Sequence, residues 1–290
     1  MLENGYEKIN IQWYPGHMTK AKRMIEDCIS SVDAVCEIRD ARIPLASGNP
    51  DIDSLCKDKP KLIVINRCDL ADNEATLNWK KYFESQNSEV IITDARTGKG
   101  VNRFVPAVRE LLAEKIKKNE EKGLIGKPIR IMILGIPNVG KSTFINKIAG
   151  KKAAEAGDRP GVTRGKQWIA IDNGIDLLDT PGILWPKFDS QEVGELLAIT
   201  NAIRTEVFDI ETLAANFMVR LLRYYPDSIA ERYKFTPDEN MNGFELLEEA
   251  AKRRGFLISK GEYDISRMAV TLLKEYHEGK LGRLTLEFPV

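Results

Sequence analysis

Histidine is almost missing from this chain: His17 and His277 are the two in 290 residues. Four cysteines, Cys28, Cys36, Cys56 and Cys68, include no C-x-x-C pair. Together they do not supply the ligand spacing of a zinc site, and the cysteines read as reduced, mostly buried small hydrophobes. No apolar window approaches the roughly 18 residues that a membrane-spanning helix needs. The start, MLENGYEKINIQWYPGH, has neither a signal-peptide core nor the Arg/Ser-rich, acid-poor character of a transit peptide, so cytoplasm is the expected compartment. Net charge is missing too, with 43 Lys and Arg against 43 Asp and Glu. That excludes binding of nucleic acid through overall charge and leaves room for a local basic face. With 43% hydrophobic and 30% charged residues the chain is expected to fold, as one large or two ordinary domains.

Short β-branched runs lie at 34–38 (AVCEI), 61–65 (KLIVI), 90–92 (VII) and 129–134 (IRIMIL), which suits buried parallel strands. Between them, 18–29, 74–84 and 101–118 carry apolar residues at helical spacing, the last ending in a Lys/Glu-rich run. The alternation predicts an α/β sheet with helices on both faces. Runs at 167–171 (QWIAI) and 175–178 (IDLL), joined by Asp172-Asn173-Gly174, predict a hairpin and hence a mixed sheet. From about Gln191 the pattern changes, with helical stretches at 192–203, 211–225, 243–255 and 263–280, so we place a boundary near Pro186, with domains at 1–186 and 187–290.

Gly135-Ile136-Pro137-Asn138-Val139-Gly140-Lys141-Ser142 matches G-x-x-x-x-G-K-[ST] between a predicted strand and a predicted helix. In such a loop the amides of Asn138, Val139, Gly140, Lys141, Ser142 and Thr143 turn toward phosphates, Lys141 adds a point charge, and the Ser142 hydroxyl reaches Mg²⁺. Asp179-Thr180-Pro181-Gly182 ends a strand downstream, where Asp179 can hold Mg²⁺ through water and the Gly182 N–H can meet a γ-phosphate. The Gly/Pro-rich stretch between them offers Thr163 as a second hydroxyl for the metal. Choice of base falls to Asn66-Arg67-Cys68-Asp69 and Asp94-Ala95-Arg96-Thr97-Gly98, each after a predicted strand. An ionised Asp69 accepts both N–H groups of guanine's Watson–Crick edge, Asn66 braces the loop, and an amide near Ala95 can meet the guanine carbonyl. Taken alone, N-x-x-D is more often a loop cap than a base reader.

This set of motifs resembles that of translation-factor-class GTPases in permuted order, because the base-reading loops precede the phosphate loop. That order is similar to the circularly permuted GTPases. Trp13-Tyr14-Pro15-Gly16-His17-Met18, with Lys20-Ala21, resembles the signature of the bacterial ribosome biogenesis GTPase A family, the YlqF type. The resemblance covers essentially the whole chain and implies a P-loop GTPase with a doubly wound mixed sheet in circularly permuted order, then an all-helical domain. Two departures stand out. Arg67 replaces the usual Lys of N-K-x-D, and its stem can still cover the base plane. Asp94-Ala95-Arg96 replaces S-A-K, which leaves the Ala backbone and puts the flanking contacts in doubt.

Hydrolysis of GTP needs an aligned water and positive charge on the transition state. The position after Gly182 that holds Gln in many GTPases is Ile183, so turnover is expected to be slow unless another group enters. The resemblance implies that His17 swings in when a partner is bound; a surface His capping the next helix is the alternative. Asn138 resembles the residue that holds K⁺ in potassium-stimulated GTPases, or it is chosen for loop geometry. The implied partners are GTP and GDP with Mg²⁺, and the large ribosomal subunit with its ribosomal RNA, met late in assembly by a monomer. Lys252, Arg253, Arg254, Arg220, Arg223, Arg267, Lys274, Lys280 and Arg283 could form a phosphate-tracking face, with Lys115 to Lys118, Lys122 and Lys127 as a second basic run. His277 reads as a solvated helix-face residue. Rival readings are a GTP-binding scaffold with little turnover, and a P-loop ATPase or kinase acting on a small molecule.

Overall fold

A computed structural model describes residues 18–56, 58–124, 126–150, 153–154, 166–171, 174–185, 188, 190–203, 208–258 and 261–289. His17, Thr163 and most of the Trp-Tyr-Pro-Gly-His-Met segment lie outside them. Two compact units emerge: one runs to residue 187 and includes residues 287–290, and the other includes residues 188–286.

The first unit is built on a six-stranded sheet. Its strands are β1 (Ala34–Asp40), β2 (Lys61–Asn66), β3 (Glu89–Ile92), β4 (Ile129–Leu134), β5 (Gln167–Ile171) and β6 (Ile175–Asp179), in spatial order β3-β2-β1-β4-β6-β5. All neighbours are parallel except β5 and β6, the predicted antiparallel hairpin. β1 is buried along its whole length and β2 along nearly all of it, the pattern of strands covered on both faces. β5, at the edge, alternates instead, leaving Trp168 exposed and Ile169 buried.

Helices cover the sheet because each presents an apolar stripe. α1 (Met18–Ile29) buries Ala21, Ile25 and Cys28, and α3 (Asn73–Ser85) buries Ala75, Trp79 and Phe83. Trp79 stacks on Phe83 one turn later and both pack against Ile63, Ile65 and Val90. The single helix expected over 101–118 is three pieces: a 3₁₀ turn, α4 (Phe104–Leu111) and α5 (Ala113–Glu121). α4 buries Phe104, Ala107 and Val108, whereas α5 buries nothing, so beyond Leu112 no apolar face holds the helix to the sheet. α2 (Pro50–Leu55) starts with Pro at its first position and Asn49 as its cap. α6 (Lys141–Ala149) follows the phosphate loop.

The second unit comprises α7 (Gln191–Ile199), α8 (Ile210–Tyr224), α9 (Pro226–Tyr233), α10 (Gly243–Arg254) and α11 (Ile265–His277). α8 is central, burying Leu213, Ala214, Phe217, Met218 and Leu221 among its neighbours. Glu275 of α11 ties three helices together by accepting from Arg232 and Tyr233 of α9 and Arg254 of α10.

Two sequence expectations are corrected in this unit. Arg220 is no surface cation, because it is buried and donates to the Leu286 carbonyl at 3.0 Å and to Glu192 at 2.8 Å. His277 is not a solvated face residue, because its Nε2 meets the Ile199 carbonyl at 2.7 Å, in the last turn of α7. Every cysteine is free and buried. Among the described residues no helix is long and apolar enough to cross a membrane.

Candidate nucleotide-binding site

Five loops leave the C-terminal ends of β1, β2, β3, β4 and β6 on one edge of the sheet, where open α/β folds place their ligands. The loop after β4 runs from Gly135 to Gly140 and turns directly into α6, so successive amides at the helix start face a common point. Lys141, the first residue of α6, is buried and donates to the carbonyls of Gly135 at 3.1 Å and Ile136 at 2.9 Å, which closes the loop over its own ammonium. Asn138 lies at φ +61°, a left-handed conformation that Asn tolerates well, so loop geometry alone gives a reason for Asn there. Ser142 is half-buried at the second helical position and Thr143 is exposed at the third.

Asp179 ends β6 beside Ile133 of β4. Burial pushes its carboxyl up to about 6, against the Lys141 charge and the Thr180 N–H. Burial likewise pulls the Lys141 ammonium down to about 8, against the Asp179 charge. Both charged forms are poorly solvated, and a polyphosphate with a divalent cation would supply what each lacks. Asp179 Oδ1 is buried and has no hydrogen-bond partner in the structure, a fit for Mg²⁺ held through water. No group of three or more acidic, His or Cys side chains that could hold a metal ion occurs among the described residues.

Gly182 passes so close to the phosphate loop that a Cβ on it would lie 2.8 Å from the Pro137 backbone and 3.1 Å from Lys141 Nζ. The Thr180 hydroxyl donates to the Ile133 carbonyl at 2.7 Å and the Ile183 N–H to the Gly135 carbonyl at 3.2 Å, fixing this segment on both sides of Gly182. Ile183 is only 3% exposed, so its side chain packs inward and has no part in aligning a water.

Asn66 joins the base-reading loops to the phosphate loop. Its Nδ2 donates to the Val139 carbonyl at 2.8 Å, and its Oδ1 accepts from Thr93 Oγ1 and the Ala95 N–H, each at 3.0 Å. The approach leaves no room for a side chain at Gly140, where a Cβ would fall 2.5 Å from Asn66 Nδ2. The Ala95 amide, which the sequence reading aimed at guanine, therefore donates inward to Asn66 in this structure. Asp94 takes over the loop-closing role of the usual Ser: its carboxylate accepts from the Arg96 N–H at 2.9 Å, the Thr97 N–H at 3.3 Å and the Thr97 hydroxyl. Arg96 in turn donates to Asp69 Oδ2 at 3.1 Å, which brings the last residue of N-R-C-D and the third residue of D-A-R side by side.

Arg67 is held at φ +62°, and its Nε lies 3.9 Å from Asp40 Oδ2. Asp40 is buried and pairs with Arg42 at 2.8 Å. Burial raises its carboxyl, but the Arg42 charge and hydrogen bonds and the Arg67 charge outweigh it and hold the group below the usual carboxylate range. Sequence reasoning missed this contribution of β1 and of the loop at 41–49. The signal was available as Glu37, Arg39 and Asp40, charged residues inside a strand buried on both faces.

Three comparisons bear on this geometry. A profile described as a 50S ribosome-binding GTPase matches residues 130–236. Ribosome biogenesis GTPase A of Bacillus cereus is 42% identical over 96% of this chain and 94% of its own length, and that of Priestia megaterium 42% identical over 97% and 98%. The chain belongs to the ribosome biogenesis GTPase A family. A crystal structure of GNP-bound YlqF from Thermotoga maritima covers 93% of this chain and 98% of that one, with a TM-score of 0.64 and 29% identity. Family membership makes the site that of a GTPase in circularly permuted order, hydrolysing GTP to GDP and phosphate, with Mg²⁺ on the nucleotide. It also removes the ATPase and small-molecule kinase readings.

Proposed function

We propose that this GTPase acts on the large (50S) ribosomal subunit late in its maturation, slowly alone and faster when seated on that partner. Ile183 carries the reading. Its side chain is buried and its amide is tied to Gly135, so the D-T-P-G segment offers no group to align a water. The missing group enters from elsewhere, and His17 is the candidate that the Trp-Tyr-Pro-Gly-His segment provides. GTP phosphates are bound by Asn138 to Thr143, Thr163 and Gly182. Mg²⁺ is held by Ser142, Thr163 and Asp179, and guanine is read by Asp69 beside Arg67 and Arg96, in loops that Asn66, Asp94 and Ala95 hold in shape. Potassium beside Asn138 is the further cofactor to test, by comparing turnover in potassium and sodium salts.

Ribosomal RNA is the surface we assign to the cations outside the site. On the helical unit, Arg223 lies over the exposed Tyr224 ring and Arg267 over Phe256, pairings that leave flat cationic and aromatic faces at the surface. On the GTPase unit, Lys59, Lys115, Lys127 and Arg130 line a cleft of about 420 Å³ that holds one acid, Asp33, and the Arg130 guanidinium lies over the exposed Trp168. Local positive charge of this kind attracts phosphates although the chain as a whole is neutral. The protein works in the cytoplasm as a monomer. Cosedimentation tests the partner: with a non-hydrolysable GTP analogue the protein should pellet with 50S and not with 30S particles, and equal pelleting with both would contradict the proposal.

A further inference from the structure

The loop at 41–49 between β1 and α2 carries no motif, yet Asn49 places four hydrogen bonds in one buried spot. Its Oδ1 accepts from the Asp51 N–H at 2.9 Å, capping α2, and its N–H donates to Glu37 Oε1 at 3.1 Å. Its Nδ2 donates to the Ile183 carbonyl at 3.1 Å. That bond holds the Ile183–Leu184 peptide, one peptide beyond Gly182–Ile183, whose Ile183 N–H donates to the Gly135 carbonyl. Asn49 also accepts, through its backbone carbonyl, from the Ile52 N–H of the same cap. Glu37 is itself locked by Arg39, whose Nε and Nη2 donate at 3.1 and 2.7 Å.

The other end of the loop is held by the last residues of the chain. The Glu287 carboxylate accepts from the Leu45 N–H at 2.8 Å and from the Ala46 N–H at 3.0 Å, and its backbone carbonyl accepts from Trp79 Nε1 at 2.9 Å. Between the two anchors, the Ser47 hydroxyl accepts from the Asp40 N–H at 2.9 Å. The loop is therefore pinned at Glu287, at the end of β1 and at Ile183.

We propose that Asn49 is a positioning residue for GTP hydrolysis. By fixing the Ile183 carbonyl it sets where the Gly182 amide stands relative to the γ-phosphate, and Glu287 holds the loop in the register that lets it do so. A residue that serves only as a helix cap would have no such effect, and the two roles separate by substitution. Asn49→Ser keeps a side-chain oxygen that caps α2 and loses the donor to Ile183.

The test uses basal single-turnover hydrolysis by the full chain, so its outcome does not depend on the ribosomal reading. Asn49→Ser should lower the hydrolysis rate constant about tenfold, with GDP affinity unchanged and the unfolding temperature lowered by about a few degrees at most, the cost of one buried hydrogen bond. Glu287→Gln, which loses one of two carboxylate acceptors, should lower the rate constant about threefold with GDP affinity unchanged. An unchanged rate constant in Asn49→Ser overturns the proposal. So does a loss matched by equal losses of GDP affinity and thermal stability, which would mark Asn49 as structural only. An unaltered rate in Glu287→Gln overturns the role of the tail.

Discussion

Asn66 and Val139 stand 73 positions apart, and the side-chain amide of the first donates to the carbonyl of the second at 2.8 Å. The bond ties the end of β2 to the phosphate loop, so base recognition and phosphate binding share one residue. Removing it with Asn66→Ala breaks three buried hydrogen bonds at once. Affinities for GDP and for a GTP analogue should fall together, on the order of 100-fold at about 1 kcal/mol per bond. Titration with a fluorescent guanine nucleotide reads this directly, and a loss confined to one nucleotide would contradict it.

We propose that Asp69 sets the choice of base through an acceptor-only carboxylate. Asp69→Asn replaces one acceptor oxygen with a donating NH₂, which suits a base carrying a carbonyl where guanine carries its amino group. The variant should lose guanine nucleotides by at least about 100-fold and gain xanthine nucleotides correspondingly. Competition between GDP and XDP for the variant checks the exchange.

Gly182→Ala would press a methyl group against the Pro137 backbone at 2.8 Å and Lys141 Nζ at 3.1 Å. The 180–183 segment must move away from Pro137 and Lys141, which displaces the Gly182 amide proposed to meet the γ-phosphate more than the phosphate-loop amides of Asn138 to Ser142. We expect GDP affinity within about threefold of wild type and GTP-analogue affinity lowered by at least about tenfold, as for a lost hydrogen bond to a charged group. Isothermal titration with both nucleotides measures the difference.

Glu275 binds two arginines and a tyrosine in the helical unit. Burial raises its carboxyl, but hydrogen bonds from Arg232 and Tyr233 and the Arg254 charge outweigh it and hold the group below its ordinary value of 4.5. Because the folded state binds the proton less readily, this stabilisation is complete above pH 4.5 and is lost as pH falls through the folded pKa. Glu275→Gln leaves Arg232 and Arg254 without their counter-charge and should cost about 3 kcal/mol at neutral pH. Urea unfolding followed by circular dichroism should show that gap at pH 7 and show it narrowing below pH 4.5.

The parts of this fold that were legible in the sequence are those whose pattern is local. β4 and β5 occupy the expected residues because β-branched runs bounded by polar residues leave few alternatives, and the phosphate loop is written as one continuous octapeptide. α2 and α9 were missed because each is short and opens on a proline, Pro50 and Pro226, which reads as a break unless the preceding residue is weighed as a cap. The 41–49 loop was missed for a different reason. Its partners, Ile183 and Glu287, are 134 and more than 240 positions away, and no local spacing announces them. The burial of Arg220 follows the same logic: its partner, the Leu286 carbonyl, lies 66 positions on.

The central proposal is a GTPase that carries no water-aligning side chain after Gly182 and acquires one on the large subunit. The direct test is steady-state GTP turnover by the purified protein alone, with 50S and with 30S particles, each for wild type and His17→Ala. We predict low turnover alone, stimulation by 50S and none by 30S, and loss of that stimulation in His17→Ala with nucleotide affinity kept. Turnover equally fast with no particle present, or stimulation undiminished in His17→Ala, would contradict the account.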